Sequence, residues 1–175
     1  MKRFICLSLL AGGLLVASTG IAQQDKSKRP SPPAKVTQTL NSGANVTIEY
    51  SQPSLKGRTI GQDIEPKQGK VWRMGANEAT VFEVDKNVKI MGKELPAGKY
   101  SMFGLQGEND FTIIFNTEWK IWGTQYEANK EKDALQVVTL MTPADKVQEQ
   151  LTYTIDKNGL VRLLWGDKKI EFLVQ

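Results

Sequence analysis

Alternation of apolar and polar residues at every second position is the feature that most constrains how this chain can fold. Such alternation is typical of strands with one buried face, and it runs through residues 45–51, 111–116 and 151–155. Residues 136–141 and 160–165 are largely apolar and are also predicted to be strands. Because no segment has a convincing helical periodicity, the chain is predicted to be all-β.

Turn signals separate these strands. The segment 156–159 reads Asp-Lys-Asn-Gly and predicts a hairpin, because Asn-Gly tolerates the positive φ of tight turns. Residues 95–98 predict a second turn, and Gly166-Asp167 is predicted to join the last two strands. The segment 118–133 is irregular and charged, which predicts a long loop or a short helical turn. The nine or ten strands counted in this way predict an antiparallel β-sandwich, jelly-roll-like in type.

The first 22 residues have the features of a secretory signal peptide. Two basic residues precede an apolar run over 4–16, and small residues stand at Gly20 and Ala22, the positions that signal peptidase reads. The run is shorter than the roughly 20 residues of a membrane-spanning helix. We therefore expect cleavage after Ala22, export to the periplasm or the extracellular space, no transmembrane segment and no lipid at Cys6.

Composition divides the remaining chain into a tail and one domain. Residues 23–35 are rich in Lys, Pro and Ser and are predicted to be a flexible, solvated linker. Residues 36–175 have the length of a single domain. Six of the 23 basic residues and one of the 19 acidic residues precede Val36, which leaves 17 basic and 18 acidic residues in the domain. This near-neutral balance argues against a nucleic-acid partner.

The domain contains no histidine and no cysteine, since Cys6 is the single cysteine of the chain. This excludes Ser-His-Asp and Cys-His catalysis and the usual zinc and copper sites. We predict no catalytic residue, no metal and no cofactor.

Catalysis by carboxylate side chains remains possible for an enzyme without histidine or cysteine. Glu78, with Glu83 or Glu49 as a partner, could in principle serve glycoside hydrolysis. The favoured alternative is that Glu78 forms a structural ion pair with Arg73 or Arg58.

The stretch from Val71 to Thr80 brings an indole, a guanidinium, a carboxamide, a carboxylate and a hydroxyl into ten residues. Burying such groups is costly unless each finds a partner. We predict a polar cluster in which Arg73 and Glu78 lie together, Asn77 turns the chain and Arg58 approaches from the preceding loop. The alternative is that both arginines close loops by bonding backbone carbonyls.

Four tryptophans suggest a sugar-binding surface, because flat indoles stack on pyranose rings. Trp165 ends an apolar strand and is predicted to lie in the core. Trp119 and Trp122 lie in the irregular segment and could form an exposed platform or pack in the core. The candidate ligand-binding residues are Arg58, Trp72, Arg73, Asn77, Glu78, Thr80, Trp122 and Tyr126.

Several motifs recur in one known family. They are Tyr50-Ser51-x-Pro53, Lys56-Gly57-Arg58, Val71-Trp72-Arg73-x-Gly75-Ala76-Asn77-Glu78-Ala79-Thr80, Gly92-Lys93-x-Leu95-Pro96-Ala97-Gly98-x-Tyr100-Ser101, Phe115-Asn116 and Trp122-Gly123-x-x-Tyr126. With these motifs the domain resembles the secreted bacterial family known as domain of unknown function 2911. The resemblance implies an exported all-β domain and supplies no activity.

Three classes of function follow from these observations. The favoured one is a binding or accessory module of the cell envelope for a glycan or a small polar or anionic ligand. The alternatives are a structural or assembly protein and, less favoured, a carboxylate-dependent hydrolase. The sequence makes no prediction of oligomeric state.

Overall fold

The computed structural model describes residues 25–175, and nearly all of its regular structure is β-strand. The strands are β1 (Pro33–Thr39), β2 (Asn45–Ser51), β3 (Val71–Trp72), β4 (Thr80–Val84), β5 (Val88–Ile90), β6 (Lys93–Leu95), β7 (Gly98–Gln106), β8 (Phe111–Asn116), β9 (Asp133–Thr139), β10 (Met141–Ile155) and β11 (Leu160–Leu173). Two short 3-10 turns lie at Lys26–Lys28 and Lys130–Lys132. The predicted signal peptide lies outside the described residues.

The main sheet has seven antiparallel strands. Its order is β1-β2-β4-β7-β8-β9, with β3 paired to β7. Neighbouring strands follow chain order, as in a meander, whereas a jelly roll has Greek-key connections. β10 and β11 form a long separate hairpin, and β5 and β6 form a short one. The predicted all-β, antiparallel, sandwich-like fold is confirmed.

The core lies between the main sheet and the β10–β11 hairpin. Phe82 of β4 and Phe115 of β8 have ring centroids 5.1 Å apart in an edge-to-face arrangement. Phe172 of β11 lies 6.0 Å from Phe115 and 6.3 Å from Phe82, so the hairpin covers the sheet. Burying each of these rings contributes roughly 1.5–3 kcal/mol. Trp165 is buried as predicted.

The predicted turns are partly confirmed. Residues 156–159 connect β10 to β11, and Gly159 has φ +91° with its α-carbon against the Val174 carbonyl, where a side chain would clash. Residues 95–98 connect β6 to β7. The predicted turn at Gly166-Asp167 is wrong, because β11 continues through it to Leu173. Gly166 has φ +58° at a shift in the pairing with β10, so the glycine marks an irregularity within one strand.

Two further expectations need correction. The described chain has eleven strands rather than nine or ten, because strands of two or three residues are too short to show an alternation. The linker was predicted to extend to residue 35, but β1 begins at Pro33 and pairs with β2 along its whole length. Pro33 lies opposite Ser51 and Thr39 opposite Asn45.

Candidate functional site

The loop between β3 and β4, residues 73–79, is termed the motif loop here. Met74 and Asn77 have positive φ, +51° and +58°, which Asn adopts more readily than most residues. A side chain at Gly75 would approach the Thr80 hydroxyl to 2.9 Å and the Ser51 carbonyl to 3.2 Å. Glycine therefore lets the loop pack directly on the end of β2.

The residues that flank the motif loop hold it by buried hydrogen bonds. The Trp72 indole N–H donates to the Gly75 carbonyl over 3.2 Å. The Met74 carbonyl accepts from the Thr80 hydroxyl, 3.1 Å away, and from the Tyr153 hydroxyl, 2.8 Å away. Thr80 is completely buried. Trp72 and Thr80 thus build the loop, and Thr80 lines neither of the cavities described below.

Arg73 and Arg58 both bond backbone carbonyls, the alternative considered from the sequence. Arg73 Nη1 donates to the Asn77 carbonyl over 2.7 Å. Burial lowers the pKa of Arg73 from its ordinary value, and the nearby Glu65 carboxylate partly offsets this. Arg58 donates from Nε to the Leu55 carbonyl (2.9 Å) and from Nη2 to Ser54 (2.6 Å). Each arginine therefore closes its own loop.

Glu78 is paired with the chain's N-terminal segment. Arg29 Nη1 donates to both carboxylate oxygens at 3.0 Å, and Lys26 Nζ lies 3.0 Å from Oε1. The predicted pairing of Glu78 with Arg73 or Arg58 is wrong. Burial alone would raise the pKa of Glu78, but hydrogen bonds from Lys26, its own backbone N–H and Arg29 outweigh it and lower the pKa to about 2.

Residues 25–32, termed the N-terminal segment, are docked on the motif loop and the end of β2. Asn77 Nδ2 donates to the Ser31 carbonyl over 3.1 Å, and the Gln52 N–H donates to the Pro32 carbonyl over 2.9 Å. Sequence reasoning missed Arg29 because it placed this stretch in a linker. One signal was present: Arg29 is an arginine among lysines, and a planar guanidinium is the preferred group for gripping a carboxylate.

A concavity lies between the N-terminal segment, β1–β2 and residues 119–122, and is termed the tryptophan groove. It has a volume of about 640 Å³. Its lining residues are Lys26, Arg29, Pro33, Ala34, Lys35, Glu49, Tyr50, Ser51, Glu78, Ala79, Val81, Trp119, Lys120, Ile121 and Trp122. Trp119 and Trp122 are 38% and 44% exposed, unusually high for such large aromatic side chains. Both indoles are therefore accessible in one groove.

The motif loop positions the tryptophan-bearing segment. The Ala79 N–H donates to the Ile121 carbonyl, and the Gly123 N–H donates to the Asn77 carbonyl, each over 3.2 Å. A side chain at Gly123 would clash with Arg73, so the segment passes directly over that arginine. These two backbone hydrogen bonds, on either side of Trp122 in sequence, thus hold Trp122 at the groove.

A second, smaller cavity of about 310 Å³ is lined by residues 73 and 75–77 of the motif loop. Four of the predicted site residues line it, namely Arg58, Trp72, Arg73 and Asn77. Glu65 also lines it, and its Oε2 atom is buried without a hydrogen-bond partner within residues 25–175.

The eight predicted site residues are therefore not brought together. Glu78 and Trp122 share the tryptophan groove. Tyr126 is in the interior, where its ring lies 4.9 Å from that of Phe103 and its hydroxyl donates to Asp133 over 2.8 Å. Burial raises the pKa of Tyr126, and the Asp133 carboxylate adds to that effect.

The fold and the site define a class: an antiparallel β-sandwich-like domain with an open, aromatic and charged groove beside a hydrogen-bonded loop. Residues 31–174 match the sequence model of a family described as a protein of unknown function (DUF2911), and the chain belongs to that family. No curated protein and no solved structure gave a significant match. Within residues 25–175, no helix is long and apolar enough to cross a membrane.

Proposed function

We propose that this protein is an exported, non-catalytic binding module whose tryptophan groove takes a glycan or a similar small polar ligand. The observation that carries the proposal is the presence of two accessible indoles, Trp119 and Trp122, in one groove of about 640 Å³. Binding sites typically combine apolar and aromatic walls with a few polar groups that fix orientation. Pyranose rings present flat apolar faces to indoles and hydroxyl groups to such polar side chains.

The state of the carboxylates favours binding over hydrolysis. A glycosidase needs one carboxyl group with a raised pKa to act as general acid. Glu78 has a pKa lowered to about 2 and is ionised at neutral pH. Glu49 pairs with Lys35 at 2.9 Å, and Glu83 pairs with Lys99 at 3.0 Å. The carboxylates considered for catalysis are thus each engaged by cations.

A glycan-binding screen followed by calorimetry tests this proposal. The wild-type protein is expected to bind at least one oligosaccharide, and the double variant Trp119→Ala/Trp122→Ala is expected to lose that binding while keeping its melting temperature. Val147→Ala is the matched control, because Val147 is an apolar side chain on β10 that is 67% exposed and does not line the groove. Unchanged affinity in the double variant would contradict the proposal, as would the absence of binding to every glycan.

Export is tested separately by mass spectrometry of the protein recovered from its native source. We expect a mature chain that begins at Gln23 and is found outside the cytoplasm. A retained Met1, or a lipid adduct on Cys6, would contradict the predicted export route.

A further inference from the structure

The tryptophan groove is more positive than the domain around it. Its lining has four cationic side chains, Lys26, Arg29, Lys35 and Lys120, and two carboxylates, Glu49 and Glu78. Residues 36–175, by contrast, have 17 basic and 18 acidic residues. The excess of positive charge arises at the groove because the docked N-terminal segment supplies two of the four cationic side chains. A cleft lined mainly by one sign of charge attracts ligands of the opposite sign.

Two of these cations keep donors for a ligand. Arg29 uses Nη1 for Glu78, and within residues 25–175 its Nε and Nη2 groups make no other hydrogen bond. Lys120 forms neither a side-chain hydrogen bond nor an ion pair with any part of the chain that the structure describes. Lys35, in contrast, is engaged by Glu49 at 2.9 Å. Arg29 and Lys120 are therefore the groups available to an anion.

We propose that the tryptophan groove selects acidic glycans, with sugar carboxylates on Arg29 and Lys120 and a pyranose face on Trp119 or Trp122. This inference rests on the function proposed above and narrows its ligand class. A guanidinium matches the geometry of a carboxylate with two parallel N–H groups. Lys120 adjoins Trp119 in sequence, and both line the groove, so charge recognition and stacking can act on the same oligomer.

The test compares an oligogalacturonate with its methyl ester of the same length, in which each negative charge is removed and a methyl group is added. Calorimetry at low salt is expected to show about tenfold tighter binding of the acid, the effect of two partly exposed ion pairs. Raising the salt concentration should reduce this preference, since exposed charges are screened.

Lys120→Gln supplies the variant arm. It should reduce the preference for the acid over the ester severalfold, because it removes one partner of the sugar carboxylates. Lys146→Gln is the control: Lys146 is an exposed lysine of β10 that does not line the groove, and its loss should change neither affinity.

The outcomes separate this inference from the proposed function. Equal affinity for the acid and its ester would overturn the acidic selectivity and leave glycan binding intact. Acid binding that survives unchanged in Trp119→Ala/Trp122→Ala would contradict the stacking site itself. Failure to bind either oligomer would overturn the present inference. The proposed function would then be tested by the binding of neutral glycans in the screen described above.

Discussion

Replacement of Glu78 by Gln tests whether the N-terminal segment is held on the motif loop by charge. In the wild type the carboxylate accepts from Arg29 Nη1 at 3.0 Å and pairs with Lys26 at 3.0 Å. Gln has nearly the same shape but no charge and one acceptor oxygen fewer. The substitution therefore removes the two ion pairs and retains most of the packing.

The magnitude follows from the pKa of Glu78 and from its exposure. A fall in pKa from 4.5 to about 2 would amount to roughly 3 kcal/mol if the charges were fully shielded from water. The Glu78 side chain is 37% exposed and Lys26 is 52% exposed, so solvent screens the pairs. We expect Glu78→Gln to lower the free energy of unfolding by about 1 kcal/mol at neutral pH.

The effect should depend on pH with a definite sign. Because the folded-state pKa of Glu78 is below its ordinary value of 4.5, the ionised group stabilises the fold fully above that value. The stability difference between wild type and Glu78→Gln should therefore shrink as the pH falls from about 4.5 towards 2.

Urea unfolding of wild type, Glu78→Gln, Arg29→Gln and the double variant forms the assay. The double-mutant cycle should give a coupling energy of roughly 0.5–1 kcal/mol between Arg29 and Glu78. Absence of coupling, or a difference between wild type and Glu78→Gln that does not change with pH, would refute the ion-pair account of docking.

Three other measurements address the motif loop and the fold. Arg73→Lys keeps the charge but loses the planar fork that bonds the Asn77 carbonyl at 2.7 Å, and should cost about 1–2 kcal/mol in urea unfolding; unchanged stability would contradict the loop-closing role. Thr80→Val removes the buried hydroxyl that donates to the Met74 carbonyl. It should lower the free energy of unfolding by about 1 kcal/mol and leave ligand affinity unchanged. Loss of affinity without a change in stability would show that Thr80 contacts the ligand. A thiol reductant should leave the melting temperature of the mature domain unchanged, since residues 36–175 contain no cysteine, and a clear shift would show that a different interaction holds the fold.

The long strands could be predicted from the sequence because one-sided burial leaves a period-two pattern. β2 shows this directly: its buried residues Val46, Ile48 and Tyr50 alternate with more exposed ones. The hairpin turn at 156–159 could also be predicted, because Asn-Gly tolerates the positive φ that tight hairpin turns require. Gly166 was misread for a physical reason: a left-handed glycine within a continuous strand resembles a turn glycine in sequence.

The composition of the site was harder to predict than the fold. The sequence directed attention to the motif from Val71 to Thr80, but the groups of this motif divide between two cavities. The pairing of Glu78 with Arg29 spans 49 residues, and no local pattern encodes so distant a contact. Accessibility of Trp119 and Trp122 likewise depends on which strands cover residues 118–133, and this is a property of the tertiary fold.

The indole N–H resonances of the four tryptophans offer the most direct test of the central claim, that the ligand binds in the tryptophan groove. Trp72 and Trp165 are buried, with their N–H groups donating to the Gly75 and Glu65 carbonyls, while Trp119 and Trp122 are accessible. An oligosaccharide found to bind is titrated into the protein, and proton–nitrogen correlation NMR monitors the indole N–H signals. The signals of Trp119 and Trp122 should shift, and those of the other two tryptophans should stay in place. Shifts confined to Trp72 and Trp165, which line the smaller cavity, would contradict the account.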